Sequence, residues 1–200
     1  MKLEERAEEK RKEITGIVTG IIQNYDIQNK TEISSRIINH FLDITPPEME
    51  LRLELITIRE GGVGGGSSTK PGNIWLNWRE LLVDGSESIL TIVGAVAIPW
   101  LIPLAGLVVW NKIWSAVTIE ITERHAAVIW AMWKNRDVEN CIKDEVILDL
   151  VNKELSVYNR SEMGRRELDR ILKEIEKMEC IERTGENKWW LREWVKIPYE

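Results

Sequence analysis

The chain has 200 residues, of which 44% are hydrophobic and 30% are charged, a balance that is ordinary for globular proteins and excludes disorder throughout. The formal net charge of −6 argues against a protein that coats nucleic acid non-specifically, because such proteins need a broad basic surface. A local basic face is still compatible with this charge. The two cysteines, Cys141 and Cys180, form no CxxC pair and indicate neither a zinc site nor a disulfide framework.

The location and the reaction class are predicted from what the sequence lacks. The N-terminal stretch MKLEERAEEKRKEITG is too charged to be the apolar core of a signal peptide, so we expect an intracellular protein, in the cytoplasm or on the cytoplasmic face of a membrane. Only two histidines are present, His40 and His125, and neither has a second ligand at metal-binding spacing. We therefore expect no enzyme, no metal and no cofactor, and interpret His125 as a surface or packing residue.

Residues 1–60 are predicted to form a small element of two helices and a strand. A second helix is expected after Thr31, a residue that favours helix N-caps, and Pro46 and Pro47 end it. The alternating apolar and polar residues of 49–58 have the period of a strand. The apolar stripe that predicts the first helix consists of Ile14, Ile17, Val18, Ile21, Ile22 and Tyr25.

Residues 61–72, GGVGGGSSTKPG, are predicted to be a flexible linker. Segments this rich in glycine and serine behave as flexible chains. A phosphate-binding loop is the alternative, but that motif needs glycine, lysine and then serine or threonine. Here Thr69 precedes Lys70 and Pro71 follows it, so we favour the linker.

Residues 73–116 form a tryptophan-rich apolar segment, predicted to be either membrane-associated or a buried hairpin. A short helix is expected over 73–83. The run 89–110 carries no charged side chain and exceeds the about 20 residues that span a bilayer as a helix. Pro99 and Pro103 interrupt it, so we expect an apolar helical hairpin or broken helix. The candidate residues for contact with a membrane or a partner are Trp75, Trp78, Trp100, Trp110 and Trp114.

Residues 117–200 are predicted to be a separate C-terminal domain with the element order strand, helix, helix, helix, hairpin. The expected elements are a strand at 117–121, helices starting at Glu123, Asp144 and Ser161, and two short strands within 180–191. This order resembles the winged helix-turn-helix superfamily, in which three helices pack beneath a small sheet and the hairpin forms the wing. The fold class of the whole chain is then mainly α with small β elements (α+β).

The resemblance implies that the third helix is the recognition helix, and its sequence is strongly amphipathic. The positions predicted to be buried are Leu168, Ile171, Leu172, Ile175 and Met178, and a basic stripe faces the other way. A cationic stripe suits contacts with DNA phosphates, and Arg166 or Arg170 could reach guanine edges in a major groove. The full set of candidate nucleic-acid-binding residues is Arg160, Arg166, Arg170, Lys173, Lys177, Arg183 and Lys188.

Two functions of different classes are open from the sequence. The first is a non-enzymatic winged-helix regulator that binds duplex DNA. The second is an adaptor whose winged helix binds a protein partner or a second copy, attached to a membrane or a larger complex through 89–110. Residues 123–200 carry slightly more acidic than basic side chains, and the pairs Arg166–Asp169, Asp169–Lys173 and Lys173–Glu176 could form ordinary surface ion pairs instead of a DNA-binding face.

Overall fold

A computed structural model describes residues 3–23, 31, 34–35, 37–50, 68–82, 99–114, 119–185 and 187–199. The protein is a mixture of helices and small antiparallel sheets, which confirms the predicted α+β class. The helices are α1 Leu3–Gln23, α2 Leu101–Trp114, α3 Glu123–Lys134, α4 Asp144–Val157 and α5 Arg165–Lys177, with a π-helical turn at Ile37–Phe41. The strands are β1 Leu42–Thr45, β2 Glu48–Glu50, β3 Ser68–Lys70, β4 Gly72–Asn77, β5 Cys141–Lys143, β6 Ile181–Thr184, β7 Lys188–Leu191 and β8 Trp194–Tyr199.

The sheet β1-β4-β8 joins segments that are far apart in the sequence. Its central strand β4 places Ile74 opposite Ile44 on one side and opposite Ile197 on the other. At the edge of this sheet, the hydroxyl of Tyr199 donates to the Thr45 carbonyl at 3.0 Å. Gly72 is required there, because a Cβ at this position would lie 2.5 Å from the Tyr199 ring.

The structure differs from the helix predicted over 73–83. Residues Gly72–Asn77 form β4, and a short helical turn follows at 78–82. Burial alternates along β4, with Ile74 and Leu76 inside, and the partner strand β8 comes from the other end of the chain. Asn77 then starts the helical turn, because its side-chain oxygen accepts the backbone N–H of Glu80 at 3.1 Å.

The N-terminal predictions meet the structure in part. α1 is present with Ile14 and Val18 buried, and it includes the charged residues before the apolar stripe. The second helix gives way at Leu42 to strand β1, which was not predicted. Of the strand predicted over 49–58, residues 49–50 belong to β2 and the rest lies outside the described residues, as do linker residues 61–67. The remaining linker residues from Ser68 onward lie mostly in β3 and β4.

The apolar run is helical where the structure describes it. α2 begins after a turn at Pro99 and Trp100, and Pro103 lies in its first turn, where a missing N–H removes no helical hydrogen bond. α2 packs against α1 and α3. Residues 89–98, the first arm of the predicted hairpin, lie outside the described residues. In the described part of the chain, every helix is too short or too polar to cross a lipid bilayer.

The C-terminal segment follows the order α3, β5, α4, α5, β6, β7. The strand predicted at 117–121 is not observed in its described residues 119–121. A different strand, β5, pairs with β7 and places Ile142 opposite Trp189. Three residues are too few to show the alternation that identifies a strand in a sequence, so β5 was missed.

One continuous apolar core connects these elements. Trp78, Trp100, Trp110 and Trp133 are completely buried in it. Gly106 of α2 permits close packing, because a Cβ there would lie 2.6 Å from a methyl carbon of Leu81.

Candidate nucleic-acid interface

The amphipathic pattern predicted for the third helix is confirmed in α5. Leu168, Ile171, Leu172 and Ile175 are buried, and Met178 is buried just beyond the helix end. The Gly164 carbonyl accepts the backbone N–H groups of Glu167 at 3.1 Å and Leu168 at 3.0 Å, which starts the helix after residue 164. Glu179 has a positive φ of 58°, and this left-handed residue ends the helical path. α5 packs on α3 and β6.

The outward face of α5 carries the predicted basic stripe. Arg166, Arg170, Lys173 and Lys177 are all exposed. In the part of the chain that the structure describes, Arg166, Lys173 and Lys177 have neither an ion pair nor a side-chain hydrogen bond. Their charges are therefore available to a ligand without breaking an existing contact.

The acidic side chains of α5 bind groups outside this unpaired row. The ion pairs that the sequence left open as an alternative are not among the contacts of the described residues, namely Arg166–Asp169, Asp169–Lys173 and Lys173–Glu176. The observed contacts are Glu167 with Arg124 at 3.3 Å, Asp169 with Arg165 at 2.8 Å, Glu174 with His125 at 2.8 Å, and Glu176 with the Arg183 backbone N–H at 3.4 Å. The carboxylates are thus compensated mainly by other groups.

An ion pair that the sequence did not reveal anchors the start of α5. Arg165 donates to the carboxylate of Asp144 at the start of α4, and the indole N–H of Trp189 donates to the same carboxylate at 2.8 Å. Burial raises the pKa of Asp144, but the hydrogen bonds from Trp189 and Arg165, together with the charges of Arg165 and Arg183, outweigh this effect and leave the pKa below its ordinary value. The contact ties α5 to α4 and β7.

His125 belongs to a second contact that the sequence did not reveal. It is completely buried, and its Nε2 lies 2.8 Å from a carboxylate oxygen of Glu174. Glu174 also accepts from Nη1 of Arg170, at 3.3 Å to each oxygen. The pKa of His125 lies below its ordinary value, because burial, the largest effect, and the charge of Arg170 lower it more than the hydrogen bond and charge of Glu174 and the charge of Glu167 raise it. The interpretation of His125 as a packing residue was therefore incomplete, because two residues spaced 49 apart give no sequence signal.

The other predicted basic residues lie on different elements. Arg160, before α5, pairs with Glu123 at 3.0 Å. Arg183 of β6 places its guanidinium 5.8 Å from the centre of the Trp189 ring. Lys188 is half-buried in β7. The structure thus brings the four α5 cations to one face and does not place these three on that helix.

The tryptophans predicted to meet a membrane or a partner are mostly core residues. Trp78, Trp100 and Trp110 are completely buried within the chain, and Trp110 donates to the Met178 carbonyl at 2.9 Å. Trp75 is half-buried, with Lys196 Nζ 5.1 Å from its ring centre. The side chain of Trp114 lies outside the described residues. Among the tryptophans whose side chains the structure describes, the exposed ones are instead Trp190, 37% exposed, and Trp194, 47% exposed.

No metal centre emerges from the described ranges, where histidine, cysteine, aspartate and glutamate side chains do not gather in groups of three. An open cleft of about 380 Å³ lies between α1 and the π-helical turn. Its lining mixes acidic, basic and hydroxyl groups and consists of Glu8, Arg11, Lys12, Thr15, Ser35, Ile38 and Asn39.

No protein-family model matches this sequence, and searches of curated proteins and of solved structures find no match. The function is therefore inferred from the geometry of the chain itself.

Proposed function

We propose that residues 123–191 form a winged-helix domain and that the protein is a non-enzymatic regulator that binds duplex DNA through the outward face of α5. The order α3, β5, α4, α5, β6, β7 supports the domain assignment, and the sheet order β5-β7-β6 sets the hairpin strand β7 between the other two. The hairpin of β6 and β7 then takes the position of the wing. The observation that carries the DNA-binding proposal is the row of unpaired cations on α5.

The dimensions of this row fit a groove-binding helix. From Arg166 to Lys177 the helix rises about 16 Å, at about 1.5 Å per residue. The major groove of B-DNA, about 12 Å wide, admits one α-helix with its side chains. Cations along such a helix contact phosphates at the groove edges and release counterions.

The net charge of −6 limits how the protein can bind. Acidic surfaces elsewhere repel the DNA backbone, so attraction has to come from this one face. Binding is therefore expected to be measurable at low salt and to weaken steeply as salt increases.

Fluorescence anisotropy with a labelled duplex tests this proposal. The single charge reversals Arg166→Glu, Lys173→Glu and Lys177→Glu should each weaken binding and reduce the slope of log affinity against log salt by about 1 for each phosphate that the variant no longer binds. Lys153→Glu is the matched control, because it makes the same charge change at an exposed lysine of α4. If the wild-type chain shows no duplex binding at low salt, the proposal is wrong.

A protein-interaction function is the second candidate, and the exposed tryptophans favour it. Large aromatic side chains are frequent at the centres of protein interfaces. Trp190 and Trp194 are both partly exposed, and the guanidinium of Arg192 lies 5.9 Å from the Trp190 ring centre. The double variant Trp190→Ala and Trp194→Ala should then lose self-association in sedimentation velocity or lose a captured partner. Unchanged behaviour of this variant in both assays would contradict it.

Attachment of the adaptor to a membrane through 89–110 stays a prediction, since residues 89–98 lie outside the described residues. Fractionation with carbonate and detergent washes tests it. If carbonate alone extracts the protein from the membrane fraction, 89–110 is not an integral membrane segment.

A further inference from the structure

We infer that Arg170 is the residue of α5 that reads a guanine base, and that Glu174 and His125 are positioning residues that hold Arg170 for this contact. The inference rests on the DNA-binding function proposed above. It separates Arg170 from the neighbouring cations Arg166, Lys173 and Lys177, which would contact phosphates.

The series of contacts that positions Arg170 begins at the buried side chain of His125. Its side chain is completely buried, and Nδ1 lies 3.1 Å from the backbone nitrogen of Thr122, which donates a hydrogen bond to it. A nitrogen that accepts this bond carries no proton, so the neutral ring has its proton on Nε2. Nε2 therefore donates to Glu174 at 2.8 Å.

Glu174 passes this constraint to the protein surface. Its side chain is 22% exposed, and its carboxylate orientation is fixed by the buried histidine. Both carboxylate oxygens lie 3.3 Å from Nη1 of Arg170, one helical turn before Glu174. The carboxylate thus restrains a side chain that is otherwise exposed.

Arg170 keeps most of its hydrogen-bonding capacity in this arrangement. Its side chain is 58% exposed, and the contact with Glu174 uses Nη1 only. A guanidinium has five N–H donors in one plane, so Nη2 and Nε are still available for an outside acceptor. Two of these donors match the O6 and N7 acceptors of guanine.

Restraint before binding is the reason to assign base reading to Arg170. An arginine that is already held in place loses less side-chain entropy on binding than a free one. Its coplanar N–H donors then form good hydrogen bonds only with acceptors in one matching geometry. Arg166, Lys173 and Lys177 have no such support among the described residues and can follow phosphates on any sequence.

Selection of bound sequences from a random duplex library, with the full chain, tests this inference. The wild type should select sites with a guanine at one position, and replacing this base pair should weaken binding roughly tenfold or more. Arg170→Lys and Glu174→Gln should both lose this preference, while binding to a non-specific duplex is retained. Lys173→Gln is the matched control and should weaken binding to all sequences alike.

A purely structural role of Glu174 predicts a different result, namely that Glu174→Gln weakens binding to every duplex by the same factor. That result, or a guanine preference that survives in both variants, overturns the inference while DNA binding stands. A wild type that binds duplexes without sequence preference also overturns it. If the wild type binds no duplex at low salt, the proposed function itself fails. Thermal melting by circular dichroism confirms that each variant is folded. Glu174→Gln decides the test, because the Glu174 side chain is partly exposed and its replacement is expected to leave the protein folded.

Discussion

Helices α2 and α5 are nearly equal in length, with 14 and 13 residues, but the protein uses them in opposite ways. α2 has one charged residue, Lys112, and most of its described side chains are buried. α5 buries one apolar side and exposes a row of charges on the other. A helix that is apolar on all sides has to be covered on all sides, whereas α5 needs only one covered side to fold. The exposed charges of α5 are thus not needed to build the core.

The largest predicted effect is at Trp110 of α2. Trp110→Ala should lower the free energy of unfolding by about 3–5 kcal/mol, because it leaves a large cavity and leaves the Met178 carbonyl with only the weak donor Cys180 Sγ, at 3.6 Å. Urea denaturation measures the change. Trp194→Ala is the control, since this ring is 47% exposed, and it should cost about 1 kcal/mol or less. Equal losses in the two variants would mean that α2 is not enclosed as described.

Gly106 of α2 tests how closely this helix is packed. Gly106→Ala should destabilise the protein by about 1–3 kcal/mol, because the new methyl group would lie 2.6 Å from the buried Leu81 side chain. Gly16→Ala in α1 is the control, because among the described residues nothing beyond its own helix backbone and chain neighbours lies within 4 Å of the new Cβ. There the better helix propensity of alanine should stabilise by about 0.5–1 kcal/mol. Opposite signs are expected, and stabilisation by both changes would contradict the close packing.

A third prediction concerns His125, at the contact between α3 and α5. Its pKa in the folded protein lies below the ordinary value of 6.5, so the unfolded chain takes up a proton first as the pH falls below 6.5. The free energy of unfolding should therefore be highest above pH 6.5 and decrease below it. Urea denaturation at several pH values measures this slope.

His125→Gln should remove this part of the pH dependence, because glutamine does not titrate. The contribution of Asp144 is separate, since its pKa is lowered from 3.8 and its stabilisation is lost only at more acidic pH. An unchanged slope between about pH 6.5 and about pH 5 in His125→Gln would assign that slope to another group.

The smallest effect on stability is expected for the exposed face of α5. Arg166→Gln and Lys173→Gln should change the free energy of unfolding by no more than about 0.5 kcal/mol, because neither side chain has a partner in the described structure. Both variants should nevertheless weaken duplex binding. A stability loss as large as that of Gly106→Ala would show that these charges serve the fold and not a ligand.

The residues of α5 show how far local pattern predicts structure. The helical period of about 3.6 residues identified both its buried and its exposed side, because all the information lies within 13 neighbouring positions. β4 shows the limit. NIWLN fits a strand or a helix over so short a length, and its pairing with β8, at the other end of the chain, decides for the strand.

The candidate site, like the fold, was predicted from the sequence only in part. The sequence predicted the four cations of α5, but it left open that Asp169 and Glu176 form ion pairs with two of them, Arg166 and Lys173. Asp169 instead pairs with Arg165, four residues before it in the same helix, and Glu176 accepts the backbone N–H of Arg183 in β6. The support of Arg170 through Glu174 by His125 depends on the packing of α3 on α5, which no local spacing encodes.

The amino-acid sequence by itself determined which segments are apolar, where α1 and α5 form, and which cations share a helix face, since these follow from the order of neighbouring residues. Only the tertiary structure decided that α2 is enclosed by protein and that Trp78, Trp100 and Trp110 are core residues. It also brought Arg124 and His125 of α3 to Glu167 and Glu174, so that these two carboxylates bind α3 and not the cations Arg166, Lys173 and Lys177. Burial and the contacts between α3 and α5 depend on residues that are distant in the chain, and hydrophobicity alone does not distinguish a lipid environment from a protein core.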